Sequence, residues 1–232
     1  MKKIILKFLI SILLILSILI IIFLIYSSNY YKADNIANEI LTQKNIEINN
    51  DYIILNPEIQ SNNGIIFYPG AKVEYTSYLP LLGSLSKEGY TCILVKMPFN
   101  FAFLNPNIAD KIIEENKNIE NWYISGHSLG GAMASYYTSK NIDEINGAIL
   151  LGAYVYGNIP SEKVLVIYGS NDLILNRDKL KNSENEIIID GGNHSQFGNY
   201  GHQKNDGIAT ISSDQQQDIT INLIDDFIKN KE

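Results

Sequence analysis

The chain has 232 residues, with 18 basic and 25 acidic side chains and a net charge of −7, long enough for one domain with a sizeable core. Without the N-terminal Lys2, Lys3 and Lys7, 15 basic residues face 25 acidic ones, a net charge of −10. That balance argues against nucleic acid or an anionic membrane surface as a partner. A single cysteine, Cys92, excludes an intrachain disulfide, and three histidines without a Cys/His cluster argue against zinc; no metal and no cofactor is expected.

In chain order, residues 8–26 come first, a run whose only polar side chains before Tyr26 are Ser11 and Ser17. As a helix it spans about 28 Å, near the hydrocarbon thickness of a bilayer. Its uniform apolarity lacks the amphipathic period of a buried core helix. The three lysines ahead of it hold the N-terminus in the cytoplasm and put the remainder outside. The run exceeds the usual signal-peptide core of about 7–15 residues and lacks an Ala-x-Ala site, and no cysteine follows for a lipid. The expectation is a single-pass cell-membrane anchor over residues 1–27 with the rest extracytoplasmic; the alternative is a form secreted after cleavage near Ile25-Tyr26-Ser27.

Residues 28–50 are polar and read as a stalk or linker with a short helix over 35–43. From 51 to 232 strands and helices alternate. Apolar runs at 51–55, 65–68, 91–96, 122–125, 147–151, 164–168 and 186–190 read as strands. Helical spacing covers 75–87, 108–116, 130–139 and 215–228. The pattern predicts an α/β domain, its mostly parallel central sheet covered by helices on both faces. Cys92, inside 91–96, reads as a packed core thiol. The longest irregular stretch, 191–213, reads as a functional loop.

Gly126-His127-Ser128-Leu129-Gly130 sits between a strand and a helix, the context of a nucleophile elbow. Such a turn strains the serine backbone, so its close neighbours must be glycine or very small. A serine hydroxyl needs a base, and the base needs an orienting acid. In the order Ser, acid, His, Asp172 follows the strand at 164–168, where it also fits a helix N-cap. Asp190 is the runner-up acid, and Asp178 reads as solvated in a polar helix. His194, after Gly191-Gly192, is the expected base, with His202 as fallback. His127 is expected to point away and pack locally. A developing oxyanion needs two backbone N–H donors: Leu129 and Ala71 are expected, with Lys72 as an alternative to Ala71 and a plain Pro-Gly turn as the bland reading.

Pro69-Gly70, Met97-Pro98-Phe99-Asn100-Phe101-Ala102, Gly126-His127-Ser128-Leu129-Gly130-Gly131, Tyr168-Gly169-Ser170-Asn171-Asp172 and Gly191-Gly192-Asn193-His194 follow one another in order. Together, from about residue 50 to the end, they resemble the α/β-hydrolase superfamily, in particular its small cap-less branch related to dienelactone hydrolases (alpha/beta hydrolase family five). The resemblance implies Ser128 as nucleophile, Asp172 as acid and His194 as base. Dienelactone hydrolases use a cysteine nucleophile, so their substrate is not carried over to a chain with serine. The function expected is a serine hydrolase, carboxylesterase-type, acting on a small ester or acyl substrate outside the cytoplasm. An acyltransferase with the same triad and a non-catalytic binding module on this fold are the alternatives. Residues 97–103 and 153–156 read either as an acyl pocket or as ordinary core packing.

Overall fold

The computed structural model describes residues 2–59, 61–180 and 185–231. The chain divides into two units, Met1–Tyr30 and Tyr31–Glu232. The first is helix α1 (Lys2–Ser28), 27 residues and about 40 Å long at 1.5 Å per residue. Beyond Lys7 it is apolar around its circumference and long enough to cross a bilayer. Its serine hydroxyls bond back to the helix, Ser11 to the Lys7 carbonyl at 3.0 Å and Ser17 to the Leu14 carbonyl at 2.8 Å. No polar group on that face then asks for water.

The second unit opens with α2 (Asn35–Ile40), capped by Asp34, whose carboxylate accepts the Ala37 N–H at 2.9 Å. Then come β1 (Ile46–Ile48), β2 (Tyr52–Leu55), β3 (Asn63–Tyr68), a 3₁₀ turn at Tyr75–Tyr78, α3 (Leu79–Lys87), β4 (Thr91–Val95), α4 (Ile108–Glu115) and β5 (Asn121–His127). After them follow α5 (Leu129–Lys140), β6 (Gly147–Leu151), β7 (Val164–Gly169), β8 (Glu186–Ile189) and α6 (Ser213–Lys229). The eight strands form one sheet in the order β1-β2-β4-β3-β5-β6-β7-β8. The pairs β1–β2 and β2–β4 are antiparallel, and all other pairs are parallel.

Strand alternation sorts side chains into two cores. Ile65 and Phe67 of β3 join Leu79 and Leu82 of α3 and Ile221 and Ile224 of α6 on one face. Ile66 and Tyr68 join Ile108 and Ile112 of α4 and Ala134 and Tyr137 of α5 on the other. Covered on both faces, β3, β4, β6 and β7 are buried along their whole lengths, which is why they read as unbroken apolar runs.

Residues 31–50, read from sequence as linker, belong to the second unit: Ala37 is fully buried and β1 extends the sheet by one edge strand. Three residues alternating Ile-Glu-Ile, half covered, are too short a signal to read as a strand. Between Asp172 and β8 no α-helix stands among the described residues; a 3₁₀ turn at Arg177–Lys179 takes the place of the helix expected around Asp178.

The chain runs from β3 to β4 on one side and returns to β5 on the other. The loops after β3 and β5 therefore adjoin at a topological switch point, where Tyr68 pairs with Gly126. Leu150, fully buried in β6, measures how far this core tolerates a void. Leu150→Ala is expected to cost about 3 kcal/mol, read as a lower urea midpoint with an unchanged m-value.

Candidate active site

Ser128 stands between β5 and α5 with φ 54° and ψ −122°, a backbone conformation that only an over-determined turn sustains. Its neighbours permit the turn. A Cβ on Gly126 would lie 2.5 Å from the Gly130 carbonyl carbon, and one on Gly130 would overlap the Tyr68 carbonyl. The Ser128 N–H donates to the Leu151 carbonyl at 2.9 Å, locking the elbow to β6. Leu129 is the first residue of α5, so its N–H has no partner within the helix. Across the switch point Lys72, with φ 58°, donates its N–H to the Asn100 carbonyl at 2.9 Å. Among the described residues the Ala71 N–H meets no acceptor. Of the two donors considered for this loop, Lys72 is engaged and Ala71 is available.

His194 and Asp172 are buried together, with Nδ1 of the ring 2.8 Å from Oδ2 of the carboxylate. The carboxylate only accepts, so Nδ1 carries a proton and donates it to Asp172. Asp172 is doubly used: its Oδ1 accepts the N–H groups of Ile174 at 2.9 Å and Leu175 at 2.8 Å. The turn-capping role and the contact with His194 therefore coexist. Arg177, the only arginine, donates to the Ser170 carbonyl at 2.7 Å and steadies this loop. Asp190 is exposed and accepts from the Ser170 hydroxyl at 3.2 Å instead of meeting His194. His202 is exposed.

Ser128 and His194 line one cavity of about 310 Å³ with Leu129, Ala132, Gly152 and Ala153. Among the described residues His194 Nε2 is buried without a hydrogen-bond partner. Tyr154 also lines this cavity, whereas residues 97–103 do not; Met97, Phe101 and Ala102 pack into the protein, and Phe99 and Phe103 stay exposed.

Three contributors carry no signal in sequence spacing. Gly152, with φ 53°, lies under the His194–Asp172 pair: a Cβ there would fall 2.9 Å from His194 Nδ1 and 3.2 Å from Asp172 Oδ2. Asp206 is buried in the loop after β8 and clips the backbone of the histidine. Its carboxylate accepts the N–H groups of His194 at 3.2 Å, Ser195 at 2.9 Å and Gly207 at 2.8 Å, and the Ser195 hydroxyl at 3.0 Å. Gln216 of α6 brackets Asn193, accepting its N–H at 2.9 Å and donating to its carbonyl at 2.8 Å.

His127 differs from the expectation of local packing. It is fully buried and bridges the loops after β3 and β8. Nε2 lies 3.0 Å from the His194 carbonyl, an acceptor, so Nε2 bears the proton. Nδ1 therefore accepts from the Tyr78 hydroxyl at 2.8 Å, whose oxygen accepts the Gly70 N–H at 3.1 Å. This relay consumes every polar atom of the ring and requires it neutral.

Strand order, elbow and switch-point loops define an α/β-hydrolase fold. The alpha/beta hydrolase family model matches residues 64–218, and the chain belongs to that family. No curated protein matches it by sequence. Similar solved structures include MGS-MChE2, an alpha/beta hydrolase enzyme from the metagenome of sediments from the lagoon of Mar Chica, Morocco. It has a TM-score of 0.58 and 12% identity, over 80% of this chain and 98% of that one. The Paleococcus ferrophilus monoacylglycerol lipase has a TM-score of 0.56 and 14% identity, over 75% and 98%. A dienelactone hydrolase from Anabaena variabilis has a TM-score of 0.54 and 14% identity, over 77% and 90%. At these identities the likeness is one of fold.

Burial, reinforced by the neighbouring His194, holds the His127 imidazole well below its ordinary value of 6.5. The unfolded chain therefore binds a proton that the native chain refuses, and acid favours unfolding. Stability from this residue is complete above about pH 6.5 and declines as pH falls below it. In His127→Gln that decline is expected to shrink, measured by urea midpoints at about pH 7.5 and about pH 5.

Proposed function

We propose that the protein is a serine hydrolase of the carboxylesterase type, acting on a small ester or acyl substrate through Ser128, His194 and Asp172. The observation that carries this reading is the state of His194. Its Nδ1–H donates to Asp172, and its buried Nε2 has no hydrogen-bond partner among the described residues and lines the same cavity as the strained Ser128. Ser128 Oγ adds to the ester carbonyl as its proton passes to His194 Nε2. Asp172 holds the tautomer and stabilises the imidazolium. The Leu129 and Ala71 N–H groups face the developing oxyanion and need no reorganisation to do so. The ester C–O bond breaks and the alcohol leaves with the proton from His194. Water then adds to the acyl carbon, giving its proton to His194, which returns it to Ser128 Oγ as the acid departs. Neighbours named as a lipase and a dienelactone hydrolase support an ester-like substrate.

A fluorophosphonate probe is expected to label the folded wild-type protein and leave Ser128→Ala unlabelled. Labelling of Ser128→Ala at the wild-type rate would sink the assignment. Asp172→Asn keeps the geometry but favours the wrong tautomer. It is expected to lower kcat on p-nitrophenyl acetate by about 10³–10⁴-fold, checked beside a wild-type circular dichroism spectrum.

We read α1 as an uncleaved anchor with Lys2, Lys3 and Lys7 on the cytoplasmic side and residues 31–232 outside. Protease added to intact cells is expected to remove the second unit; complete protection would reverse the topology. A mature mass lacking residues 1–27 would show cleavage instead.

A further inference from the structure

The first residues of the second unit lie on its catalytic loops. The Tyr31 N–H donates to the Lys72 carbonyl at 2.8 Å, and the Glu74 N–H donates to the Tyr31 carbonyl at 2.8 Å. On the other side the Lys204 N–H donates to the Tyr31 hydroxyl at 2.9 Å, and the Asp34 N–H to the Asn199 carbonyl at 2.9 Å. Residues 31–34 thus join the loop after β3, which carries Ala71, to the loop after β8, which carries His194. Both loops stand at the carboxyl edge of the parallel strands. The chain therefore enters this unit at the rim of the candidate active site. In sequence only Asn29 and Tyr30 separate that entry point from a helix able to cross a bilayer.

Large exposed apolar side chains collect at the same edge. Phe99, Phe103 and Leu104 follow β4. Leu173 follows β7 and is 72% exposed, and Ile208, in the loop after β8, is 75% exposed. Asn171 donates its side-chain amide to the Ile208 carbonyl at 3.0 Å, keeping the last two loops together. At the opposite edge Lys117, Glu120, Asp143, Glu144 and Glu162 are exposed, with Ile59 the one large apolar side chain exposed there among the described residues. Apolar residues gathered on one rim, unlike single scattered ones, mark a surface that another apolar phase covers.

We propose that the carboxyl edge of the sheet rests on a zwitterionic bilayer surface, and that the substrate is an acyl ester carried in that bilayer. The net charge of −10 outside the N-terminal lysines disfavours an anionic surface, so apolar contact holds the face down. The substrate half of the proposal rests on the Ser128 reading; the surface half does not.

The full chain is reconstituted in phosphatidylcholine vesicles. Cys92 is buried, so a thiol-reactive fluorophore reports on one introduced cysteine at a time. Ile208→Cys and Leu104→Cys probe the rim, and Lys117→Cys the opposite edge. Nitroxide lipids labelled near the headgroup are expected to quench both rim positions several-fold more than position 117. Equal quenching, or stronger quenching at 117, overturns the surface. A long-chain p-nitrophenyl ester placed in the same vesicles as the protein is expected to turn over at least about tenfold faster than the ester in separate vesicles. Equal rates overturn the bilayer-borne substrate. Hydrolysis of soluble p-nitrophenyl acetate, lost in Ser128→Ala, tests the chemistry separately. If neither ester is cleaved, the substrate half falls with the Ser128 reading while the quenching contrast still decides the surface.

Discussion

The close approach of the elbow to the end of β3 governs the rest of the site. Gly130 sits against the Tyr68 carbonyl and Gly126 against Gly130, at distances no side chain tolerates. That close packing accommodates the turn in which Ser128 takes positive φ and from which α5 begins, its first N–H groups without partners inside the helix. It also brings the loop holding Ala71 alongside, because β3 and β5 are neighbours on either side of the reversal in strand order. The turn at Ser128 and the placing of the Leu129 and Ala71 N–H groups thus share one cause. A side chain at position 130 would disturb both together.

The second requirement is that the loops after β7 and β8 hold still without regular structure. Each uses a buried polar residue as a clip. Asp172 accepts two N–H groups of its own turn while it holds His194. Asp206 and Gln216 satisfy the backbone from Asn193 to Ser195. His127 and Tyr78 then connect the elbow to the loop after β3 and to the His194 carbonyl. Buried polar groups are costly when unpaired and rigid when fully paired. In this network nearly all are paired, and His194 Nε2, the atom left over, borders the cavity that also holds Ser128.

Residues 31–34 add a third tie. They bind the loops after β3 and β8 through the backbone, so the start of the folded unit is also part of the scaffold of its active edge. A stretch read as a stalk or linker is in this way tied to the loops that carry Ala71 and His194.

Much of this was legible from the amino-acid order. Unbroken apolar runs such as 147–151 and 164–168 mark strands covered on both faces, because burial selects β-branched and aliphatic residues wherever it occurs. The elbow was legible because its backbone conformation restricts residue type at positions 126, 130 and 131. Asp172 and His194 were legible as polar residues just past strand ends. What stayed hidden depends on contacts between segments far apart in the chain. Gly152 matters only because the His194–Asp172 pair lies on it, and Asp206 only because the loop after β8 folds back. The choice of Ala71 over Lys72 hangs on whether Asn100 captures the Lys72 N–H. Local order alone determined the strands from β2 to β8, the elbow and the membrane-length helix, since each is a property of neighbours within a few residues. Only the tertiary structure decided which polar atoms are already spent and which stand ready, because that is settled by partners tens of residues away.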